Sequence, residues 1–348
     1  MKKLEKDRLP AFLQQIGDKM PLFVPVQKEE GAVFTRWNPE VTPQLGAVRT
    51  VRSPKDLFFP QCEALYTLKT EQGKLQIAPQ KRAEEPFAVF GMRGCDARAL
   101  QVLDQVFLTE PVDTFYKARR ENGVLLTLAC RRPDTACFCT VFQNDPADPL
   151  GDVCLVEGDT CFFLMAKTEK GQDFLDHFAS LLTPCEEPDE TACQKEQENI
   201  RAIAARLPLR DLSLEGWGPG QTDARFSDPR WDALSKNCLG CGTCTFVCPV
   251  CQCYDLHDYD TGHGVIHYRC WDSCMYEDFT RMSAGNNRPT RMQRYRQRFM
   301  HKLVYGPENN NGLYGCVGCG RCVVKCPSSL HIVQVLRKMR KEEEHAKL

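Results

Sequence analysis

Long apolar runs are missing from this chain of 348 residues. None approaches the roughly 18 residues that a membrane-spanning helix needs, so membrane contact is expected only through a partner. An excess of one charge is missing as well, and a net charge of −1 argues against a generic nucleic-acid binder. There is no Rossmann G-x-G-x-x-G and no P-loop, so the chain carries no nucleotide fingerprint of its own. No Ser-His-Asp order can be argued either. The absence of C-x-x-C-H excludes covalently attached c-type haem. The first residues, MKKLEKDRLP, lack the apolar core of a secretory signal. A reducing cytoplasm is therefore expected, with thiols kept for metal.

What the chain has in quantity is cysteine, 21 residues of it. Cys238-x2-Cys241-x2-Cys244-x3-Cys248-Pro249 returns as Cys316-x2-Cys319-x2-Cys322-x3-Cys326-Pro327, the ligand spacing of a bacterial two-cluster ferredoxin. In that arrangement each C-x2-C-x2-C turn wraps one [4Fe-4S] cluster, and the fourth cysteine reaches across to the other. The spacing therefore predicts Cys238, Cys241, Cys244 and Cys326 on one cluster, and Cys316, Cys319, Cys322 and Cys248 on its neighbour. Structural zinc sites use two C-x2-C pairs instead.

With 42% hydrophobic residues the chain is long enough for two domains. Residues 3–17 carry a loose helical stripe. Short β-rich runs at 22–26, 32–37, 64–68 and 75–78 read as strands of a mixed sheet, and Cys62 reads as a small buried residue. Residues 86–91 form a buried strand, Asp96 caps a helix over 97–107, and a helix over 114–121 leads into a strand over 124–128. Strands at 153–156 and 161–166, with Cys154 and Cys161 in the core, and an amphipathic segment 171–182 close this part.

The expected class is α+β: a mixed α/β amino-terminal domain (1–184), a linker and helix (185–228), and a helical, two-cluster ferredoxin-like domain with a long insertion (229–348). A last helix after Cys326 buries Ile332 and Leu336, and the tail to Leu348 frays.

Four more cysteines fall where an α/β sheet binds ligands. Cys95 and Cys130 stand at the carboxyl ends of two strands, and Cys137 and Cys139 lie on the loop leaving the second. They are expected to hold a third [4Fe-4S] cluster; a zinc site or unconnected buried thiols are the alternatives. The 67 residues between the ferredoxin motifs add Cys251, Cys253, Cys270 and Cys274. They also bring six arginines and Lys302 without an acid over 281–302. That run reads equally as a solvated helix face or as cations offsetting cluster charge or docking an acidic partner.

The stretches Val89–Leu100, Cys137-Phe138-Cys139, Cys248–Cys253, Trp271-Asp272-Ser273-Cys274 and Gly285–Pro289 together resemble one family. It is the family that includes the iron–sulfur subunit of anaerobic sulfite reductase and the beta subunit of cytoplasmic sulfhydrogenases. Related subunits serve flavin oxidoreductase complexes coupled to heterodisulfide reductase. The resemblance implies a cytoplasmic electron-transfer subunit that is non-catalytic by itself. It would relay electrons between an NAD(P)H- and FAD-binding flavoprotein subunit and a catalytic redox partner. The alternative is a reductase in its own right, using the thiols of Cys251, Cys253, Cys270 and Cys274.

Overall fold

Phe87–Arg93 is a run of seven buried residues, and such a strand is stable only between two covered faces. The structure around it is a computed structural model that describes residues 1–71, 74–82 and 85–340. Strand β1 (Lys2–Glu5) and helix α1 (Leu9–Lys19) open the chain. The hairpin of β2 (Leu22–Lys28) and β3 (Gly31–Arg36) follows, and then a second pair, β4 (Cys62–Glu71) and β5 (Lys74–Pro79). A β-α-α-β unit comes next, with β6 (Phe87–Arg93), α2 (Gly94–Phe107), α3 (Thr114–Asn122) and β7 (Gly123–Leu128). After β8 (Val153–Glu157), β9 (Cys161–Ala166), α4 (Glu169–His177) and β10 (Thr183–Pro184), the long α5 (Glu187–Ala204) leads away.

Eight strands form one sheet in the order β10-β1-β9-β8-β7-β6-β2-β3. It is parallel from β2 through β6 and β7 to β8 and antiparallel at both flanks. Phe12, Ile16, Phe174 and Leu175 of α1 and α4 cover one face. Leu100, Leu103 and Tyr116 of α2 and α3, with Phe58 and Phe59, cover the other.

Three expectations change. Residues 2–5 are a strand paired with β9, and the helix begins only at Leu9. Asp96 does not cap α2, which starts at Gly94; it lies in the first turn with its carboxylate on Arg321. The strands near 64–68 and 75–78 exist but belong to a separate antiparallel sheet, β11-β12-β4-β5. Its partners β11 (Tyr254–Asp260) and β12 (Val265–Trp271) come from the interval between the two ferredoxin motifs. β5 is exposed along its length, which the two covered faces of the main sheet would not allow.

The carboxyl-terminal region is helical: α6 (Thr222–Phe226), α7 (Arg230–Ser235), α8 (Thr243–Phe246), α9 (Arg291–Met300), α10 (Gly306–Asn309), α11 (Arg321–Lys325) and α12 (Ile332–Lys338). Trp231, Tyr295, Phe299, Leu303, Ile332 and Leu336 form its core. The fold is thus α+β, with the insertion closing as a hairpin on the amino-terminal part. Residues 341–348 of the anticipated tail lie outside the described residues.

Candidate metal centres

The two ferredoxin turns precede short helices, α8 and α11, each entered through a glycine at positive φ, Gly242 and Gly320. That conformation costs glycine little and lets backbone approach what the turn encloses. Cys238, Cys241, Cys244 and Cys326 line one space of about 420 Å3, walled by Met275, Tyr295 and Phe299. Cys316, Cys319, Cys322 and Cys248 line a second, of about 340 Å3. In each, three thiols come from one motif and the fourth from the other. The Leu330 N–H points at the Cys326 sulfur at 3.3 Å, a contact that favours a thiolate there.

A third space, of about 460 Å3, is lined by Cys95, Cys130, Cys137 and Cys139, with Cys319 of the second turn at its edge. β6 ends at Arg93 and β7 at Leu128, so the parallel pair sets Cys95 and Cys130 side by side across 34 intervening residues. Arg93 fixes this edge by donating to the carbonyls of Ala47 and Ala129. The loop bearing Cys137 and Cys139 lies backbone to backbone on the second ferredoxin turn, with Phe138 N–H donating to Gly318 O at 3.0 Å. A Cβ on Gly318 would run into the Phe138 carbonyl, and its φ is +63°. Gly318→Ala is therefore expected to cost more than about 1 kcal/mol and to loosen the third site. Thermal unfolding and iron content of the anaerobic protein check this; unchanged values in both would contradict the close approach.

Buried cations stand beside the thiols. Arg298 is 2% exposed and lines both ferredoxin spaces. It donates to Cys244 O, yet its Nε and Nη1 are buried without a partner. Lys302, 6% exposed, reaches the Cys248 sulfur at 3.2 Å and the Gly315 carbonyl at 2.7 Å. Arg49 reaches the Cys137 sulfur at 3.3 Å. The arginine-rich run thus resolves by position: Arg298 and Lys302 offset charge at the thiols, and Arg294 donates to the carbonyls of Met275, Arg288 and Pro289. Burial pushes the Cys319 thiol up to about 11 and the Cys139 thiol up to about 12. Cys248 goes the other way, because it accepts a hydrogen bond from Cys251 and faces Lys302 and Arg298.

Among the described residues no three His, Cys, Asp or Glu side chains gather closely enough to hold a single ion. A zinc site would draw its sulfurs to about 2.3 Å from one metal. Four thiols lining a common space, with buried cations nearby, suit an anionic iron–sulfur cubane.

The four-thiol set of the reductase alternative is not available. Cys270 is joined to Cys62 across β12 and β4 in a disulfide, and Cys62 is exposed rather than buried. A residue in register opposite a cysteine of another strand is visible only once the strands pair. Sequence reasoning also missed Lys55, 3% exposed, which donates to the carbonyls of Cys248 and Cys251 and sits over the Trp271 ring at 3.7 Å. A lone lysine inside the loop between Pro54 and Pro60 carries no local signal of this role.

The description "4Fe-4S dicluster domain" matches residues 237–330, which makes the chain an iron–sulfur protein. Over 97% of its length it is 30% identical to sulfhydrogenase 2 subunit beta of Pyrococcus furiosus, of which it covers 98%. The chain belongs to the iron–sulfur electron-transfer subunit family of the sulfhydrogenase beta subunits. No solved structure matches it. Among the described residues no helix is long and apolar enough to cross a membrane.

Proposed function

We propose that the chain is a cytoplasmic, non-catalytic relay subunit of an oxidoreductase complex. Residues 229–348 would hold two [4Fe-4S] clusters with the reciprocal cysteine sets, and residues 1–184 a third on Cys95, Cys130, Cys137 and Cys139, with 185–228 linking them. The carrying observation is the continuity of the three spaces. Arg298 lines the first and second, and Cys319 lines the second and third. A [4Fe-4S] group, when bound, takes up and returns an electron, with a potential set by charge, hydrogen bonds and exposure.

The chain's residues provide the setting. Tyr295, Phe299 and Met275 keep water from the first site, while Cys241 is exposed and Leu239 is 66% exposed beside it. That edge is the natural face for a partner. Arg298, Lys302 and Arg49 place positive charge where thiolates accumulate, which favours the reduced state electrostatically. The partners proposed are an NAD(P)H- and FAD-binding flavoprotein on one side and a redox enzyme of the sulfite reductase, hydrogenase or heterodisulfide reductase type on the other. The name of the Pyrococcus relative, a beta subunit, supports work within an assembly.

The isolated, flavin-free chain is expected to leave NAD(P)H unoxidised and to pass electrons to a dye only when the flavoprotein is added. Steady NADH turnover by the chain alone, followed at 340 nm, would contradict the relay.

A further inference from the structure

Three thiols of the interval between the ferredoxin motifs remain outside these sites. Cys251 and Cys253 directly follow the first motif, and Cys274 follows the exit of β12. Far apart in sequence, they line one space. Arg298, His301 and Lys302 share the lining, and among the described residues no carboxylate does. His301 and Lys302 open a π-helical segment, His301–Tyr305, that continues α9. Such wide turns are rare and recur at functional sites.

The cations placed beside the ferredoxin thiols also line this space, so a group bound here shares their charge. Arg298 is 2% exposed, with two nitrogens that have no hydrogen-bond partner, and Lys302 is 6% exposed. Buried cations are unfavourable when uncompensated. Three thiolates around an iron–sulfur core place further negative charge beside these cations. His301 lines the space beside the three cysteines, and imidazole is a common metal ligand. A single ion is disfavoured for the same reason as before, since no three donors among the described residues converge.

We propose that Cys251, Cys253 and Cys274 hold a further [4Fe-4S] cluster whose remaining iron faces His301. The site adjoins the second ferredoxin site: Cys251 donates to Cys248, a ligand candidate of that site. Lys302 stands beside both sulfurs. Lys55 holds the same loop through the carbonyls of Cys248 and Cys251. Cys253 and Cys274 stand next to each other on the lining. The cluster is thus a branch of the relay, next to α2, whose Val102 and Val106 form its apolar wall.

The test is iron and acid-labile sulfide per chain in anaerobically prepared protein, compared with Cys274→Ser, Cys253→Ser and Cys137→Ser. At four irons per cluster, the wild type is expected to carry about sixteen and Cys274→Ser and Cys253→Ser about twelve each. Cys137→Ser also falls by about four, but from the amino-terminal site, so failure of that site and failure of this one are read separately. Should the variants fold poorly, the wild type still decides. Cys251, Cys253 and Cys274 are expected to resist alkylation by iodoacetamide in the native anaerobic protein and to react once iron is chelated. Iron in Cys274→Ser equal to wild type, or prompt alkylation of Cys253 in the fully loaded protein, overturns the proposal.

Discussion

Cys248→Ala is expected to strip about four irons per chain from the site made by Cys316, Cys319 and Cys322, and to leave the site of its own motif loaded. Cys248 lines the second space with the three thiols of the other motif, and Lys302 and Arg298 line it beside them. Cys326→Ala is expected to do the converse, because Cys326 lies with Cys238, Cys241 and Cys244. Double variants separate the two assignments. Added to Cys322→Ala, the Cys248 change should remove no more iron, whereas added to Cys241→Ala it should remove about four more. Spin-coupled signals in the fully reduced protein, which need both clusters, should vanish in either single variant. If Cys248→Ala instead costs nothing further in the Cys241→Ala background, the reciprocal arrangement is wrong.

The second large effect lies at the junction of α2 and α11. Arg321 and Asp96, each 2% exposed, meet in a two-pronged pair at 2.6 and 2.8 Å. Arg321 also donates to the Thr50 carbonyl and hydroxyl. The pair joins the helix that follows β6 to the second ferredoxin turn, one residue from Cys95 and two from Cys319. Removing one partner leaves a buried charge alone, and Asp96→Ala is expected to cost about 3–5 kcal/mol. Replacing both by apolar residues, Asp96→Leu with Arg321→Met, should recover most of that loss. Urea unfolding of the anaerobic, loaded protein measures both. A loss below about 1 kcal/mol for Asp96→Ala would show that the junction is held by the packing of Ala99, Val102, Val250 and Val317 instead.

Legibility in the sequence followed the range of the interaction. Cysteines three apart before a proline carry their own geometry, so the ferredoxin turns could be read locally, as could the buried runs of β6 and β7. The meeting of Cys95 and Cys130 needed only the rule that strand ends of a parallel pair share one edge, whereas the loop of Cys137 and Cys139 is seated by the contact of Phe138 with Gly318. Pairing at long range was hidden. Cys62 meets Cys270 because β4 pairs with β12, and no periodicity in either strand names the other. The hairpin of β11 and β12 did have a signal, the Thr261-Gly262-His263-Gly264 turn before a β-branched and aromatic run, but the charged residues of β11 obscured it. The arginine-rich segment looked uniform in sequence. Burial divides it, because the helical period of α9 turns Arg298 inward beside Phe299 and Met300 and leaves Arg291 outside.

If electrons cross this chain between partners, the most direct measurement follows them through it. The complex isolated anaerobically with the chain's own partners would be assayed for NAD(P)H-dependent reduction of its terminal acceptor, and separately for NAD(P)H-dependent dye reduction at the flavoprotein. With Cys322→Ala in the chain, which removes a thiol lining the middle site, dye reduction is expected to persist while acceptor reduction falls to background. Acceptor reduction at the wild-type rate in that variant, with the site's iron confirmed absent, would contradict a relay through this subunit.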